Sequence, residues 1–192
     1  MGVQKIIETT DFKIGIYAIK EDDLIDEKNS LTLKNCNYKN KKRRNEWLSI
    51  RLLLKAMNES SDISYDKFGA PNIKENKISI SHSSNLTAII ISSHNVGIDI
   101  QKISSKALSI SSKFITENTH QNLSKEKATI IWSCKETIYK FHKKEKINFK
   151  SDIIVRPFIV NKKGNLKCEF QGKIYNLQYI KINKHFLVYV CK

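Results

Sequence analysis

The sequence lacks long hydrophobic runs, a secretion signal and paired cysteines. No apolar stretch approaches the ~20 residues that a membrane-spanning helix needs, and the N-terminal residues MGVQKIIETTDFK contain no apolar signal-peptide core. The sequence therefore predicts a cytoplasmic protein. Its 4 cysteines are widely spaced and form no CxxC pair, which predicts reduced, mostly buried thiols rather than a metal site or a disulfide framework. Low-complexity linkers and short repeats are also missing, so the 192 residues form one large domain or two small ones.

Negative charge is in short supply. The 34 Lys and Arg residues outnumber the 19 Asp and Glu residues, which gives a formal net charge of +15. Such an excess favours anionic partners, such as nucleic acids, nucleotides, membrane surfaces or acidic proteins. However, lysine, asparagine and isoleucine are frequent throughout the chain. Because this bias would make most proteins from the same source basic, the net charge alone indicates an anionic partner only weakly.

The hydrophobic pattern predicts a helix-then-strands order that occurs twice. Helices are expected near residues 41–58, 105–117 and 125–143. Runs rich in β-branched residues predict strands at 12–20, 77–81, 86–92, 96–101, 152–160, 166–171, 174–182 and 185–191. The Gly and Pro of YDKFGAPNI, at 65–73, indicate a turn. We therefore predict an α+β protein of two similar halves, residues 1–95 and 96–192, with a ligand cleft where they join.

The segment NVGIDIQKI, at 95–103, combines a buried-strand pattern with an unusual polar face. Its apolar residues alternate with Gly97, Asp99 and Gln101, which therefore share the other face of the strand. A solvated sheet face is the simpler interpretation of this strand taken alone. In the functional interpretation, the missing side chain at Gly97 leaves room for a pyrophosphate and a metal ion to approach Asp99.

The second strong helix carries a matching set of polar residues. In WSCKETIYK, the residues Trp132, Glu136 and Lys140 are spaced i, i+4 and i+8 and share one helix face. Taken alone, this spacing describes a surface Glu–Lys pair that contributes about 0.3–0.5 kcal/mol. Asp99 and Glu136 could instead share one hard cation such as Mg²⁺, which prefers carboxylate oxygens and keeps several waters. Basic groups nearby would then hold phosphates, as in phosphoryl-type transfer.

Positive charge is concentrated at the start of the first helix. Four basic residues, at 41–44, crowd the N-terminus, where the helix dipole disfavours cations unless an anion is bound. Helical phase puts Arg44 rather than Arg43 on the same face as Arg51. A solvated basic run is the alternative. In SISHSS, His82 ends a strand between two serines, a set that can bind phosphate oxygens, although a lone histidine is more often structural.

Together these segments closely resemble the Sfp-type 4′-phosphopantetheinyl transferases. The similar segments are KRRNEWLSIR, YDKFGAPNI, ISISHSS, VGIDIQ and WSCKETIYK, roughly half of the chain. The resemblance implies two similar α+β halves in a pseudo-twofold arrangement, with coenzyme A bound between them. It also implies Mg²⁺-dependent transfer of the 4′-phosphopantetheine arm of coenzyme A to a serine of an acyl or peptidyl carrier protein, with release of adenosine 3′,5′-bisphosphate. Such carriers serve fatty acid, polyketide or nonribosomal peptide biosynthesis.

The resemblance implies a role for each matching residue. The metal ligands would be Asp99, Gln101 and Glu136. The catalytic residues would be Asp99, Glu136 and Lys140. Glu136 would help to deprotonate the serine, and Lys140 would neutralise charge on the pyrophosphate. The phosphates of coenzyme A would be bound by basic and strand-end residues: Lys42, Arg43, Arg44, Arg51, Ser81, His82 and Lys135.

Two positions depart from the family pattern. Gln101 stands where many relatives have a glutamate, which leaves the metal shell one charge short. Ala70 stands where many relatives have the lysine of a GKP turn, so one contact to the nucleotide end is missing, with Lys67 and Lys74 as candidate replacements. The expected partners are coenzyme A and an acidic carrier protein, not nucleic acid or a membrane. The enzyme is expected to be a monomer.

Two other classes of protein fit part of the pattern. A basic α+β module that binds nucleic acid would account for the charge and the arginine-led helix. It would not account for Asp99 and Glu136, because carboxylates repel phosphate without a metal ion, and it would lack the exposed aromatic pairs on which bases stack. A catalytically inactive relative that only docks carrier proteins rests on Gln101 and Ala70. Both alternatives stay open at this point.

Overall fold

The computed structural model describes residues 2–19, 36, 38–67, 69–116, 119–143 and 146–192. The chain forms two compact units, unit 1 (residues 1–94) and unit 2 (residues 95–192), and each is described by itself. The sequence pattern puts this boundary one residue later. Lys20, Phe68 and Glu117, which belong to predicted elements, lie outside the described residues.

Unit 1 is built on a sheet of four antiparallel strands. In chain order its elements are β1 (Val3–Glu8), β2 (Lys13–Ala18), α1 (Lys41–Ala56), β3 (Ser64–Tyr65), β4 (Pro71–Asn72), β5 (Lys77–Ser83) and β6 (Leu86–Ser92). The sheet order is β1-β2-β6-β5, so two hairpins join through β2 and β6. The strands β3 and β4 form a separate short hairpin that contains the predicted turn.

Local chemistry determines where α1 begins and ends. The side chain of Asn40 accepts a hydrogen bond from the backbone N–H of Arg43 at 3.2 Å, which caps the first turn. Asn58 has a left-handed backbone with φ of 57° and follows the last turn. The buried stripe of α1 packs in one cluster with the sheet: Tyr17, Ile50, Leu53, Leu54, Met57, Ile78, Ile89 and Ile91.

Unit 2 packs one long helix against a five-stranded antiparallel sheet. Its elements are β7 (Val96–Lys102), α2 (Ser105–Ser109), a 3₁₀ turn (Ser111–Lys113), α3 (Lys125–His142), β8 (Ile153–Val155), β9 (Lys163–Phe170), β10 (Lys173–Ile182) and β11 (His185–Cys191). The sheet order is β7-β11-β10-β9-β8, so the first strand pairs with the last. Residues of α3 and of the sheet form the core, among them Ile130, Ile131, Cys134, Ile138, Leu177 and Val188.

The two units contain the same order of strands and helix along the chain. In unit 1, the succession β2, α1, β5, β6 ends with β6 antiparallel to β2. In unit 2, the succession β7, α3, β10, β11 ends with β11 antiparallel to β7. Each unit therefore contains a strand, a helix and a hairpin whose last strand returns to the first. The pseudo-twofold relation between the halves stays a prediction.

Three elements differ from the sequence pattern. The pattern misses β1, because most of its side chains are exposed and show no buried face. The strand expected at 152–160 ends at Val155, and Pro157, which follows closely, has no N–H for a ladder bond. The helix expected near 105–117 is only the five-residue α2 and a 3₁₀ turn, in a serine-rich stretch of low helix propensity.

The structure adds two facts about hydrophobic segments and thiols. In the described ranges, no helix has both the length and the apolar character needed to cross a membrane. All four cysteines are free thiols, and Cys134 and Cys168 are buried. Burial and the neighbouring Cys168 raise the pKa of the Cys134 thiol, which makes it a poor nucleophile.

Gly97 allows α3 to lie close to β7. A Cβ atom at this position would overlap the main-chain oxygen of Thr137 and would lie 3.0 Å from the Cβ of Phe141. Gly97 and Asp99 are buried on the strand face that α3 covers. The interpretation of this face as solvated is therefore wrong. The missing side chain at Gly97 makes room for the helix, not for a pyrophosphate.

We expect Gly97→Ala to lower the free energy of unfolding by about 1–3 kcal/mol, because the added methyl group must push α3 away from the sheet. Urea unfolding monitored by circular dichroism measures this effect. Lys102→Ala, at an exposed position of the same strand, is the control and should change stability by less than about 0.5 kcal/mol. Equal stability of Gly97→Ala and wild type would contradict the close packing.

Candidate active site

Asp99 lies on β7 beneath α3 and is paired with two residues of that helix. Only 1% of the residue is exposed. The Lys140 Nζ donates to Oδ1 of Asp99 at 2.7 Å, and the Ser133 hydroxyl donates to Oδ2 at 2.9 Å. Ser133 and Lys140 are seven residues apart, so they lie two turns apart on one helix face. The sequence pattern misses Ser133, although this spacing from Lys140 could have indicated it.

Glu136 lies between Ser133 and Lys140 along the same helix. Burial raises the pKa of its carboxyl group to about 7, with a further contribution from the negative charge of Asp99 and an opposing one from Lys140. A carboxyl group that titrates near neutral pH can accept a proton from a substrate and release it again. Glu136 therefore has the proton affinity expected of a general base.

Two neighbouring carboxylates are the side chains here that could ligate a metal ion. In the part of the chain that the structure describes, no group of three or more His, Cys, Asp or Glu side chains could hold a metal ion. Asp99 and Glu136 are a pair of neighbouring carboxylates, and Gln101 follows on the same strand face and is partly exposed. Mg²⁺ is usually held by one or two carboxylates together with waters and substrate phosphates. A cation beside this pair would also offset the repulsion that Asp99 exerts on Glu136.

Lys135 has a different environment, although it precedes Glu136 in the chain. Its Nζ donates to the carbonyl oxygens of Phe149, at 2.5 Å, and of Ile153. Only 3% of the residue is exposed. An ammonium group enclosed by main-chain carbonyls is not available to an anion in solution. The structure therefore contradicts the expectation that Lys135 binds the phosphates of coenzyme A.

Unit 1 contains an open cavity of about 230 Å³ beside α1. Its lining combines aromatic rings, charged side chains and part of the β3–β4 turn: Tyr38, Arg43, Glu46, Trp47, Ile50, Tyr65, Gly69, Pro71, Ile80 and His82. Flat apolar surface next to cationic groups suits a planar ligand that carries negative charge. Tyr65 and Glu46 were not indicated by the sequence pattern as site residues.

Arg51 contacts two of the residues that line this cavity. Its guanidinium group stacks on the indole ring of Trp47, with 3.6 Å between Cζ and the ring centroid. Its Nη1 donates to the main-chain oxygen of Trp47 at 3.2 Å, and its side chain lies close to that of Tyr65. These contacts hold the guanidinium in one orientation. The donors that remain have fixed directions, which suits recognition of a phosphate group.

The basic start of α1 is partly neutralised by Glu46. Its Oε2 accepts a hydrogen bond from Nη1 of Arg43 at 3.2 Å, and its Oε1 lies 4.0 Å from Nζ of Lys42. Arg43 lines the cavity, whereas Arg44 is exposed and does not line it. The helical-phase choice of Arg44 over Arg43 is therefore wrong for this cavity. The three-residue spacing of Arg43 and Glu46 is the sequence signal for their ion pair.

Ser81 and His82, which are both predicted to bind phosphate, are neighbours at the end of β5. His82 lines the cavity, whereas Ser81 does not, because neighbouring strand residues point to opposite faces. Ser81 is 4% exposed. Lys67 and Lys74 also do not line the cavity, so neither replaces the missing lysine at Ala70 there. Arg43 lines the cavity together with Gly69 and Pro71 of this turn.

The β3–β4 turn is held by its own hydrogen bonds. The backbone N–H of Ala70 donates to Oδ1 of Asp66 at 2.9 Å, and Gly69 has φ of +77°, which a residue with a side chain adopts only with strain. Gly69 and Pro71 reach the cavity. The glycine is thus required by the turn that forms one edge of the cavity.

No protein-family model matches the chain, and no curated protein gives a significant match. The assignment of a function therefore depends on the motifs of this chain and on the geometry of the residues within each unit.

Proposed function

We propose that this protein is a 4′-phosphopantetheinyl transferase with holo-acyl-carrier-protein synthase activity. It would transfer the phosphopantetheine arm of coenzyme A to a serine of an acyl or peptidyl carrier protein and release adenosine 3′,5′-bisphosphate. One observation carries the proposal. The buried Asp99 is paired with Lys140, and beside them stands Glu136 with its pKa raised to about 7. These residues come from the VGID and WxxKExxxK motifs on which the resemblance rests.

Glu136 is the proposed base for the serine of the carrier protein. A serine hydroxyl is a poor nucleophile, so transfer requires a group that removes its proton as it attacks. A glutamate with a pKa of about 7 holds that proton more firmly than an ordinary glutamate and is still largely ionised at pH 8. This combination supports the assignment of the base to Glu136.

Lys140 supplies a positive charge, and Asp99 holds it in a fixed position. The Lys140 side chain is 25% exposed, and Asp99 occupies one of the three donors of its ammonium group. The remaining donors would be available to an oxygen of the pyrophosphate. Ser133 holds the other carboxylate oxygen of Asp99, so the pair cannot easily rotate. A preorganised cation stabilises the negative charge that develops on the leaving group.

The proposal includes Mg²⁺ and two partners. Asp99 and Glu136 would hold the ion, with Gln101 as a neutral ligand, and the bound ion would supply charge for the pyrophosphate. The partners are coenzyme A and a carrier protein. A chain of net charge +15 would attract an acidic carrier. A cytoplasmic location and a monomeric state belong to the same proposal.

The cavity of unit 1 is the proposed site for the nucleotide end of coenzyme A. Trp47 and Tyr65 offer flat surfaces to the adenine ring. Arg43 and His82 line the same cavity, and Arg51 is fixed against Trp47 at its border. These three side chains would contact the phosphate groups.

The decisive experiment is incubation of the full chain with coenzyme A, Mg²⁺ and a purified apo carrier protein. We expect mass spectrometry to show one phosphopantetheine group on one serine of the carrier, with an equal amount of adenosine 3′,5′-bisphosphate. Acyl and peptidyl carriers are tested side by side. A carrier that binds the chain but stays unmodified would identify a docking protein. No modification together with tight binding of nucleic acid would identify a nucleic-acid-binding module.

We expect Arg51→Met to weaken the binding of adenosine 3′,5′-bisphosphate about tenfold, because a charge-assisted phosphate contact is lost. Isothermal titration calorimetry at low and high salt measures the loss. It should shrink at high salt, since salt screens exposed charges. Arg44→Met, in the same helix but outside the cavity lining, is the matched control and should bind normally. Equal losses in both variants would indicate general attraction by the helix rather than a binding cavity.

A further inference from the structure

The burial of the Lys135 ammonium group is not explained by phosphate binding. Only 3% of Lys135 is exposed, and burying a charged group costs free energy that an apolar residue at this position would not require. The compensation comes from two carbonyl oxygens, those of Phe149 and Ile153. Lys135 therefore ties α3 to a segment, residues 149–153, that leads into β8.

The ring of Phe149 shows where this segment crosses the helix. Its centroid lies 5.5 Å from that of Trp132 and 5.7 Å from that of Tyr139. Trp132 and Tyr139 are seven residues apart, which is about 10 Å along a helix axis. A ring in contact with both must lie midway between them. That level of the helix is the level of Lys135 and Glu136.

We propose that Lys135 is a positioning residue, which fixes residues 149–153 across α3 so that the ring of Phe149 covers the helix beside Glu136. The inference rests on the proposed function, because Glu136 is the proposed base. Phe149 would form a wall that limits the rotamers of Glu136 and keeps water from one side of it. Small displacements of a reacting group cost much of the rate, which gives such a wall a catalytic value.

Two readouts on the full-length protein test this inference. Lys135→Met removes the ammonium group and keeps the apolar stem. We expect hydrogen exchange of the amides in residues 147–155 to rise about tenfold, because the segment is released from the helix. We expect kcat for carrier modification to fall about 10- to 100-fold, with KM for coenzyme A unchanged. Lys135→Arg retains donors for both carbonyls and should restore most of the turnover.

Two further variants serve as controls. Lys127→Met removes another lysine of α3 whose Nζ donates to a carbonyl, that of Gln121 at 2.7 Å, and should change neither readout. Phe149→Ala removes the wall but keeps the two hydrogen bonds of Lys135. It should lower kcat as Lys135→Met does, and it provides a test if Lys135→Met does not fold.

Three results would overturn the inference. The first is normal kcat in Phe149→Ala. The second is faster exchange in Lys135→Met with normal turnover, which would make the lysine merely structural. The third is unchanged exchange of residues 147–155 in Lys135→Met. If the wild-type chain modifies no carrier, the proposed function fails, and the exchange measurement still decides whether Lys135 fixes the segment.

Discussion

Replacing Glu136 with glutamine is expected to lower the rate of carrier modification by about 10²–10⁴-fold. The substitution removes the base that accepts the serine proton and one of the two carboxylates proposed to hold Mg²⁺. Glutamine has almost the same size and shape, so the surrounding packing is retained. Initial rates at saturating coenzyme A and Mg²⁺ measure the effect. Asp99→Asn should produce a similar loss, because Lys140 and the metal would both lose their shared negative partner.

The matched control for this experiment is Glu75→Gln. Glu75 is an exposed carboxylate in a turn of unit 1, and we expect the variant to have wild-type turnover. Near-normal turnover in Glu136→Gln would remove Glu136 from the catalytic residues. Circular dichroism of both variants establishes that any loss of turnover does not come from unfolding.

The same substitution is expected to stabilise the folded protein at pH 8 without divalent metal. The pKa of Glu136 rises from an ordinary value of 4.5 to about 7 on folding. Between these pH values the folded state binds more protons than the unfolded state, so stability falls as pH rises. The contribution of Glu136 is therefore most favourable below pH 4.5, and its penalty is complete above pH 7. The full penalty is about 3 kcal/mol.

Urea unfolding in EDTA at pH 5 and pH 8 tests this expectation. Glu136→Gln should be more stable than wild type by about 3 kcal/mol at pH 8 and by less than about 1 kcal/mol at pH 5. The result does not depend on the proposed enzyme activity. A variant that is no more stable than wild type at pH 8 would show that the ionised carboxylate is not penalised in the fold. Loss of activity together with a gain in stability is typical of a residue kept for function.

Part of the candidate acidic site could be predicted because the spacing of its residues is local. Glu136 and Lys140 are one helical turn apart, so any helix through both puts them on one face. Strand alternation likewise separates Asp99 from the apolar residues beside it. The hydrogen bonds could not be predicted, because Lys140 and Ser133 are 41 and 34 residues away from Asp99 in the chain. Only the packing of α3 on β7 decides that they meet.

Two errors of interpretation have the same origin. Gly97 belongs to the VGID motif, but the atoms that require a glycine there belong to Thr137 and Phe141. Lys135 belongs to the WxxKExxxK motif, but neighbouring helix positions differ by about 100° in direction, and its ammonium group donates to the carbonyl oxygens of Phe149 and Ile153. A motif shows that residues occur together. It does not show which of them contact a ligand and which hold the fold.

The chain itself, without its three-dimensional structure, was enough to predict both long helices, most strands and the shared helix face of Glu136 and Lys140, because each depends on periodicity over a few residues. Tertiary structure decided which charges are paired and which are open to a ligand. Arg43 and not Arg44 lines the cavity, and Ser81 does not share it with His82. These outcomes depend on the exact rotation of a helix about its axis and on which face of a sheet lines the cavity. Both are set by contacts between residues that are distant in the chain.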